Sequence, residues 1–358
     1  MSKRSCLVVA LCALLCLPVG LAWAEVEYEL EGGKWVAATA PAEGSPQGEL
    51  AMIRRQLERG ANRQALNAAK RFLKRYVDQP AREEVMMLAG LAQMRRGLYF
   101  QAYEWFEKQL AEFPGGRYSA RALDCEYAVA EAFLGGKKRV VAGVFRLSAK
   151  EEGLDILTRI AEHVPGSAMA EKALLRIGDY RYAAGDYADA AMAFDHYLEV
   201  FSRSKEAPAA MLKAANAAYA SYYGPAYDDA PLIEAQQRFR RFSEVYPISA
   251  RSANVPSLLT QIKDAQGAKA FETARFYQRT GRPEAAAFYY RQVTDRYPDS
   301  DWGQQAKAAL VKLGGAPETA VSHAPQLAAP AQPAAEARRE VVELEKLAPT
   351  SQEGGKKK

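Results

Sequence analysis

Residues 171–204 read EKALLRIGDYRYAAGDYADAAMAFDHYLEVFSRS. Leu174, Ile177 and Gly178 fall on one stripe of a first helix, and Tyr187, Ala190, Phe194, Leu198 and Phe201 recur at three- and four-residue steps along a second. Gly185-Asp186 supplies the turn between them. Neither helix can bury its apolar face alone. Gly178 and Ala190 carry almost no side chain, which lets two backbones approach where they cross, while Phe194 and Leu198 fill the space toward a next unit. The stretch predicts one helix pair of a stack.

The same spacing returns on both sides of it. A turn glycine, a crossing alanine and a helix-ending position recur as Gly60, Ala65 and Val77; as Gly97, Ala102 and Pro114; as Gly185, Ala190 and Ser202; and as Gly281, Ala286 and Pro298. Phe113-Pro114, Tyr246-Pro247 and Tyr297-Pro298 stop second helices, because proline cannot continue the backbone hydrogen bonding. Two further copies have stretched middles. One runs through Leu154, Leu157 and Ile160 to Val164-Pro165 after the long turn GGKKRVVAGVFRLSAK, and the other through Ala235 and Phe239 to Pro247 after GPAYDDAPLIE from Gly224. About six helix pairs result, with a basic period of about 34 residues. The middle of the chain has no strand-like alternation, so the reading is all-α.

The flanks read differently. Residues 1–24 have the form of a secretory signal: Lys3 and Arg4, an apolar run from Cys6 to Leu17, and Ala22-Trp23-Ala24 before Glu25. Cys12 and Cys16 follow Leu11 and Leu15 where a lipid-attachment cysteine needs a small residue, so the sequence does not support a lipid anchor. Cleavage leaves Cys125 as the one remaining thiol, which excludes an intramolecular disulfide. It also removes two cations and no acid, lowering the formal charge from +5 to +3, which gives no reason to expect nucleic acid. Residues 25–48 read as a flexible lead-in and 49–314 as the repeat region. The Ala/Pro-rich stretch 315–358 reads as a disordered tail holding one short amphipathic segment, Ala337 to Leu347.

The turn glycine, the aromatic two residues on, the alanine, the Phe or Tyr four beyond it, the terminal proline and the small residues Gly90 and Gly178 resemble the tetratricopeptide repeat family across residues 49–314. That resemblance implies an α-solenoid, a right-handed superhelix of about six helix pairs with flexible termini. Its concave face would be lined by first helices, and extended segments of other proteins would lie along it. The family's groove register falls on Met87, Leu91 and Met94, on Leu175, Asp179 and Tyr182, and on Phe271, Arg275 and Gln278. Tyr-Pro-Ile-Ser at 246–249, Tyr-Pro-Asp-Ser at 297–300 and FETARFYQRTGRPEAAAFYYRQVTDRYPDSDWG are similar to the BamD family of outer-membrane assembly proteins. This second resemblance implies a periplasmic scaffold at the inner face of the outer membrane. Its partners would be a β-barrel insertase, unfolded outer-membrane proteins, or both, and any membrane contact would be peripheral. A repeat adaptor for cell-wall synthesis or envelope constriction is the alternative, although residues 25–48 lack the heptads a coiled coil before the repeats would need.

Motifs for chemistry are absent. There is no HExxH, CxxC, G-x-S-x-G or G-x-x-x-x-G-K, and His163, His196 and His323 have no metal-ligand spacing, so neither cofactor nor catalytic residue is expected. Asp228-Asp229 and Glu151-Glu152 read as solvated acids or as partners of a helix dipole. In the long turn, the basic residues Lys137, Lys138, Arg139, Arg146 and Lys150 are interleaved with Val140, Val141, Val144, Phe145 and Leu147. They form a candidate docking loop for an acidic partner or an anionic membrane face, or else a helical insertion whose apolar side packs on the repeats.

Overall fold

The computed structural model describes residues 28–31, 34–37, 42, 44–141 and 145–314; the expectations for the signal segment and the tail lie outside them. The described residues form fourteen helices and two hairpins. Six helix pairs follow the predicted order: α1 (Pro46–Glu58) with α2 (Asn62–Arg75), α3 (Arg82–Arg95) with α4 (Tyr99–Glu112), α5 (Ser119–Leu134) with α6 (Lys150–His163), α7 (Ala168–Ala184) with α8 (Tyr187–Val200), α9 (Ala207–Ala220) with α10 (Ala230–Val245), and, after the short α11 (Pro247–Ser252), α12 (Val255–Arg279) with α13 (Pro283–Arg296). A last helix, α14 (Asp301–Lys312), packs on α13 and α12. Pro247 ends α10 as predicted and also opens α11, because an N-terminal helical position has no use for the missing N–H.

The repeating turn is set by backbone sterics. Gly60, Gly97, Gly185 and Gly281 all sit in the left-handed region, with φ of 74°, 75°, 89° and 70°, where a side chain would be strained. The crossing is set by volume. A methyl added at Gly90 would fall within 3.0 Å of the Phe106 ring, and one added at Gly178 within 3.0 Å of Phe194. Phe194 therefore lies on Gly178 of its own pair and also reaches the next one, where Lys213 of α9 sits 5.6 Å from the centre of its ring. Both rings are fully buried.

Contacts divide the chain into two compact units, residues 1–160 and 161–358. In the first, Ile53, Leu57, Ala69, Phe72, Val85 and Ala89 form a continuous core through α1, α2 and α3. The second has three successive cores, around Leu174, Phe194 and Tyr197, around Phe239, Phe242 and Ile262, and around Phe271, Tyr290 and Val293. Successive pairs are also tied by polar contacts. The Glu83 carboxylate accepts from the backbone N–H groups of Arg117 and Tyr118 at 3.2 and 2.6 Å. At the matching place in the second unit, Glu171 accepts from the hydroxyls of Tyr197, at 2.8 Å, and Ser204. Those bonds, the Ser204 one foremost, hold the Glu171 carboxyl below its ordinary pKa. Each unit is thus a stack of tetratricopeptide-type helix pairs, as predicted.

Two segments depart from the all-α expectation. The lead-in carries an antiparallel hairpin of β1 (Tyr28–Glu31) and β2 (Lys34–Ala37). The long turn after α5 is also a hairpin, β3 (Lys138–Val141) with β4 (Phe145–Ser148), and not a helical insertion. Val140, Val141 and Phe145 are strand formers, and an isolated segment this short gains little from helix propensity.

Candidate partner-binding surfaces

The structure places the predicted groove residues unevenly. Met87 is 1% exposed and Phe271 7%, so neither can meet a partner. Helix α3 packs against α1, α2 and α4 and buries Val85, Met86, Met87, Ala89 and Ala92 around its circumference. The Phe271 ring is held between Tyr290 and Trp302, with centroids 5.4 and 5.5 Å away, because α14 covers that side of α12. Leu91 and Leu175 pack half-buried on their cores, and Met94 is half-buried. The remaining four carry polar or aromatic contacts. Asp179 pairs with Lys213 at 2.6 Å, Arg275 with Glu272 at 2.6 Å, and Gln278 accepts from the Tyr290 hydroxyl at 2.7 Å. Tyr182 is 39% exposed, edge-on to Tyr187.

A better-formed surface lies on the second helices of the later unit. A cleft of about 730 Å³ runs between α8 and α10 with α9 as its floor, lined by Asp195, Leu198, Met211, Arg238, Arg241 and Val245 among others. Arg238 forms a two-pronged pair with Asp195, at 2.7 and 2.6 Å, and bonds Glu234 at 2.8 Å. These bonds, led by the one to Asp195, outweigh burial and raise the guanidinium pKa above its ordinary value. The pair braces α8 to α10 across the cleft. Leu198 and Met211 are half-buried and Val245 is 52% exposed, so an apolar floor lies between charged walls. Such a trough suits an extended or helical peptide. Sequence reasoning singles out none of Asp195, Met211, Arg238, Arg241 and Val245, because residues on three helices become neighbours only when the pairs stack.

The corresponding positions in the earlier unit carry buried side chains. Gly90, Ala102 and Phe106 occupy the positions of Gly178, Ala190 and Phe194, so Tyr103 stands where the later unit has Ala191, Leu123 where it has Met211, and Glu126 where it has Ala214. Aligning α6 with α10 on Pro165 and Pro247 puts Ile156 at the place of Arg238. Tyr103, Leu110, Leu123, Glu126 and Ile156 are all at most 9% exposed. Tyr103 donates to the Glu107 carboxylate at 2.7 Å, and desolvation, reinforced by that bond, raises its pKa. Glu126 is fully buried and neither carboxyl oxygen has a hydrogen-bond partner. Burial first, then the Glu107 charge, against the opposing pull of Arg159, pushes its pKa up to about 9.

The candidate docking loop is a ribbon standing off the helices. Lys137 and Lys138 are exposed, whereas Arg139 turns back, 3.5 Å from the centre of the Phe100 ring and 3.6 Å from Glu152. The adjacent acids have ordinary structural work. Asp228 accepts from the Ala230 N–H at 3.2 Å, and Glu151 and Glu152 lie in the first turn of α6. Among the described residues no group of three His, Cys, Asp or Glu side chains is placed to hold a metal ion, and no helix is long and apolar enough to cross a membrane. Cys125 is half-buried, and burial pushes its thiol up to about 11, away from the reactive thiolate.

Against this geometry, residues 141–315 match the family model described as "YfiO: Outer membrane lipoprotein". No curated protein sequence matches the chain significantly. Among solved structures, it is similar to a TPR repeats protein from Bacteroides fragilis, at 15% identity over 74% of this chain and 99% of that one, with a TM-score of 0.35. A tetratricopeptide repeat protein from Parabacteroides merdae gives 14% identity, 75% and 98% coverage and a TM-score of 0.31. Pseudomonas aeruginosa pilF gives 16%, 74%, 97% and 0.26. These overlaps are loose, and the fold rests on the pair geometry itself. It is a tetratricopeptide-repeat fold, and the family-model match falls on the part of the chain that holds the open cleft.

Proposed function

We propose that this protein is a non-enzymatic scaffold of BamD type in the periplasm, holding partners during assembly and insertion of β-barrel proteins into the outer membrane. The observation that carries this reading is the match of residues 141–315 to an outer-membrane lipoprotein family. The aromatic-Pro-x-Ser helix ends and the signal-like residues 1–24 support it. Within that reading the cleft between α8 and α10 is the principal docking site, because it alone among the surfaces described joins an apolar floor to charged walls. The first-helix residues Tyr182 and Arg275, which are exposed, and the half-buried Asp179 form a secondary one. The partner is a barrel insertase or an unfolded client.

Depletion in the native cell tests the assignment. Correctly inserted β-barrel proteins should fall, measured by heat-modifiable mobility of the outer-membrane fraction. Normal barrel levels together with failed division or constriction would overturn it in favour of a cell-wall adaptor.

A further inference from the structure

The β3–β4 ribbon has a composition that neither the stack nor the proposed scaffold role uses. Its register pairs Lys138 with Ser148, Arg139 with Leu147 and Val140 with Arg146. Cross-strand partners share a face. Leu147 and Phe145, two residues apart on β4, therefore share a face with Arg139, and Lys138, Val140 and Arg146 share the other. Were the ribbon a packed insertion, Phe145 and Leu147 would lie against the helices beside Arg139. Instead they are 66% and 55% exposed, and all four residues of β4 face water.

Charge points the same way. Lys137, Lys138 and Arg146 are exposed, and among the described residues none of them makes an ion pair. The nearby acid Glu152 is engaged by Arg139, whose guanidinium also covers the Phe100 ring. That contact fixes the base of a two-stranded ribbon that would be marginal alone. The result is an anchored projection with two unburied apolar side chains and three unneutralised cations.

We propose that this ribbon is a contact point for an anionic lipid surface. Size decides between a leaflet and a folded protein. A standard protein interface takes about 800 Å² from each partner, more than two four-residue strands offer without help from the stack. Shallow entry into a headgroup layer needs only a few apolar side chains flanked by cations, and each cation near an anionic surface contributes about a fivefold gain in binding. The ribbon would thus set the orientation of the repeat stack against the membrane, independently of whichever protein occupies the cleft.

Vesicle binding tests this without reference to barrel assembly. In the full chain, Phe145→Trp should gain blue-shifted emission over the unsubstituted protein when phosphatidylglycerol-containing vesicles are added, and no shift with phosphatidylcholine alone. In co-sedimentation, combined Lys137→Gln, Lys138→Gln and Arg146→Gln should weaken the anionic-vesicle binding that depends on the ribbon by about a hundredfold. Phe145→Ser with Leu147→Ser should weaken it about tenfold while leaving its salt dependence in place. Unchanged emission from the Phe145→Trp protein with anionic vesicles, where its far-ultraviolet circular dichroism is native, overturns the proposal. So does ribbon-dependent capture of a protein partner without any emission change on vesicles.

Discussion

The earlier and later units present the same place on the same repeat in opposite conditions. In the earlier unit Tyr103, Leu123, Glu126 and Ile156 are all buried; between α8 and α10, where Met211, Ala214 and Arg238 stand in place of the last three, there is a cleft of about 730 Å³. The elements that build the pair are unchanged. Gly90 and Gly178 meet Phe106 and Phe194 in the same way, and Gly97 and Gly185 make the same left-handed turn. Architecture and surface are therefore specified by different residues of one repeat. The crossing and turn positions fix the stack, and the positions facing the neighbouring pair decide whether a gap remains for another chain.

The largest effect should fall on what the two units share. Phe106→Ala and Phe194→Ala each remove a fully buried ring seated on a glycine, and each should lower stability by about 3–5 kcal/mol in chemical denaturation. A much smaller loss at one of them would show that the units are not built alike.

Next comes the buried acid found only in the earlier unit. Glu126 keeps its proton in the folded chain up to about pH 9, whereas the unfolded carboxyl ionises near its ordinary value of 4.5. Between those limits the folded state binds more protons, so this contribution is whole at low pH and is lost as pH rises toward 9. Glu126→Gln cannot titrate. It should flatten the decline of stability across that window and raise stability at pH 8 by about 2 kcal/mol. Identical pH profiles for the two proteins would mean that water or a cation reaches the carboxyl.

The Asp195–Arg238 brace should matter least to folding. Its side chains are 41% and 23% exposed, and pairs this accessible to water contribute little. Asp195→Asn should cost under about 1 kcal/mol, leave the far-ultraviolet spectrum unchanged, and loosen α10 in hydrogen exchange. Loss of several kcal/mol would make the pair part of the core instead of a wall of the cleft.

Much of the fold is legible in the sequence because the decisive residues act locally or at fixed spacing. Gly185 reports a turn that only a residue without Cβ enters freely, and Gly178 reports a crossing that admits no side chain. The site is less legible. The register taken from the family resemblance puts Met87 and Phe271 in a groove, but register says nothing about how many neighbours a helix has, and α3 is enclosed while α14 covers Phe271. The ribbon reads as a helical insertion because Lys and Arg interleaved with apolar residues suit either period, and strand pairing is a contact between segments that no single stretch displays. The exchange of Tyr103 and Glu126 for Ala191 and Ala214 is present in the sequence. It becomes visible only when copies are compared at positions outside the repeat's own signature.

Site-specific photo-crosslinking in growing cells measures the contrast most directly. A photoreactive residue at Val245 or Arg241, in the open cleft, should capture a discrete envelope protein, and Met211→Trp, which adds bulk at the half-buried floor of the cleft, should reduce that capture at least tenfold without unfolding the chain. A probe in place of Tyr103 should capture nothing above background. Equal capture from both places, or capture from Val245 that Met211→Trp leaves untouched, would contradict the view that the unfilled cleft is where this scaffold holds its partner.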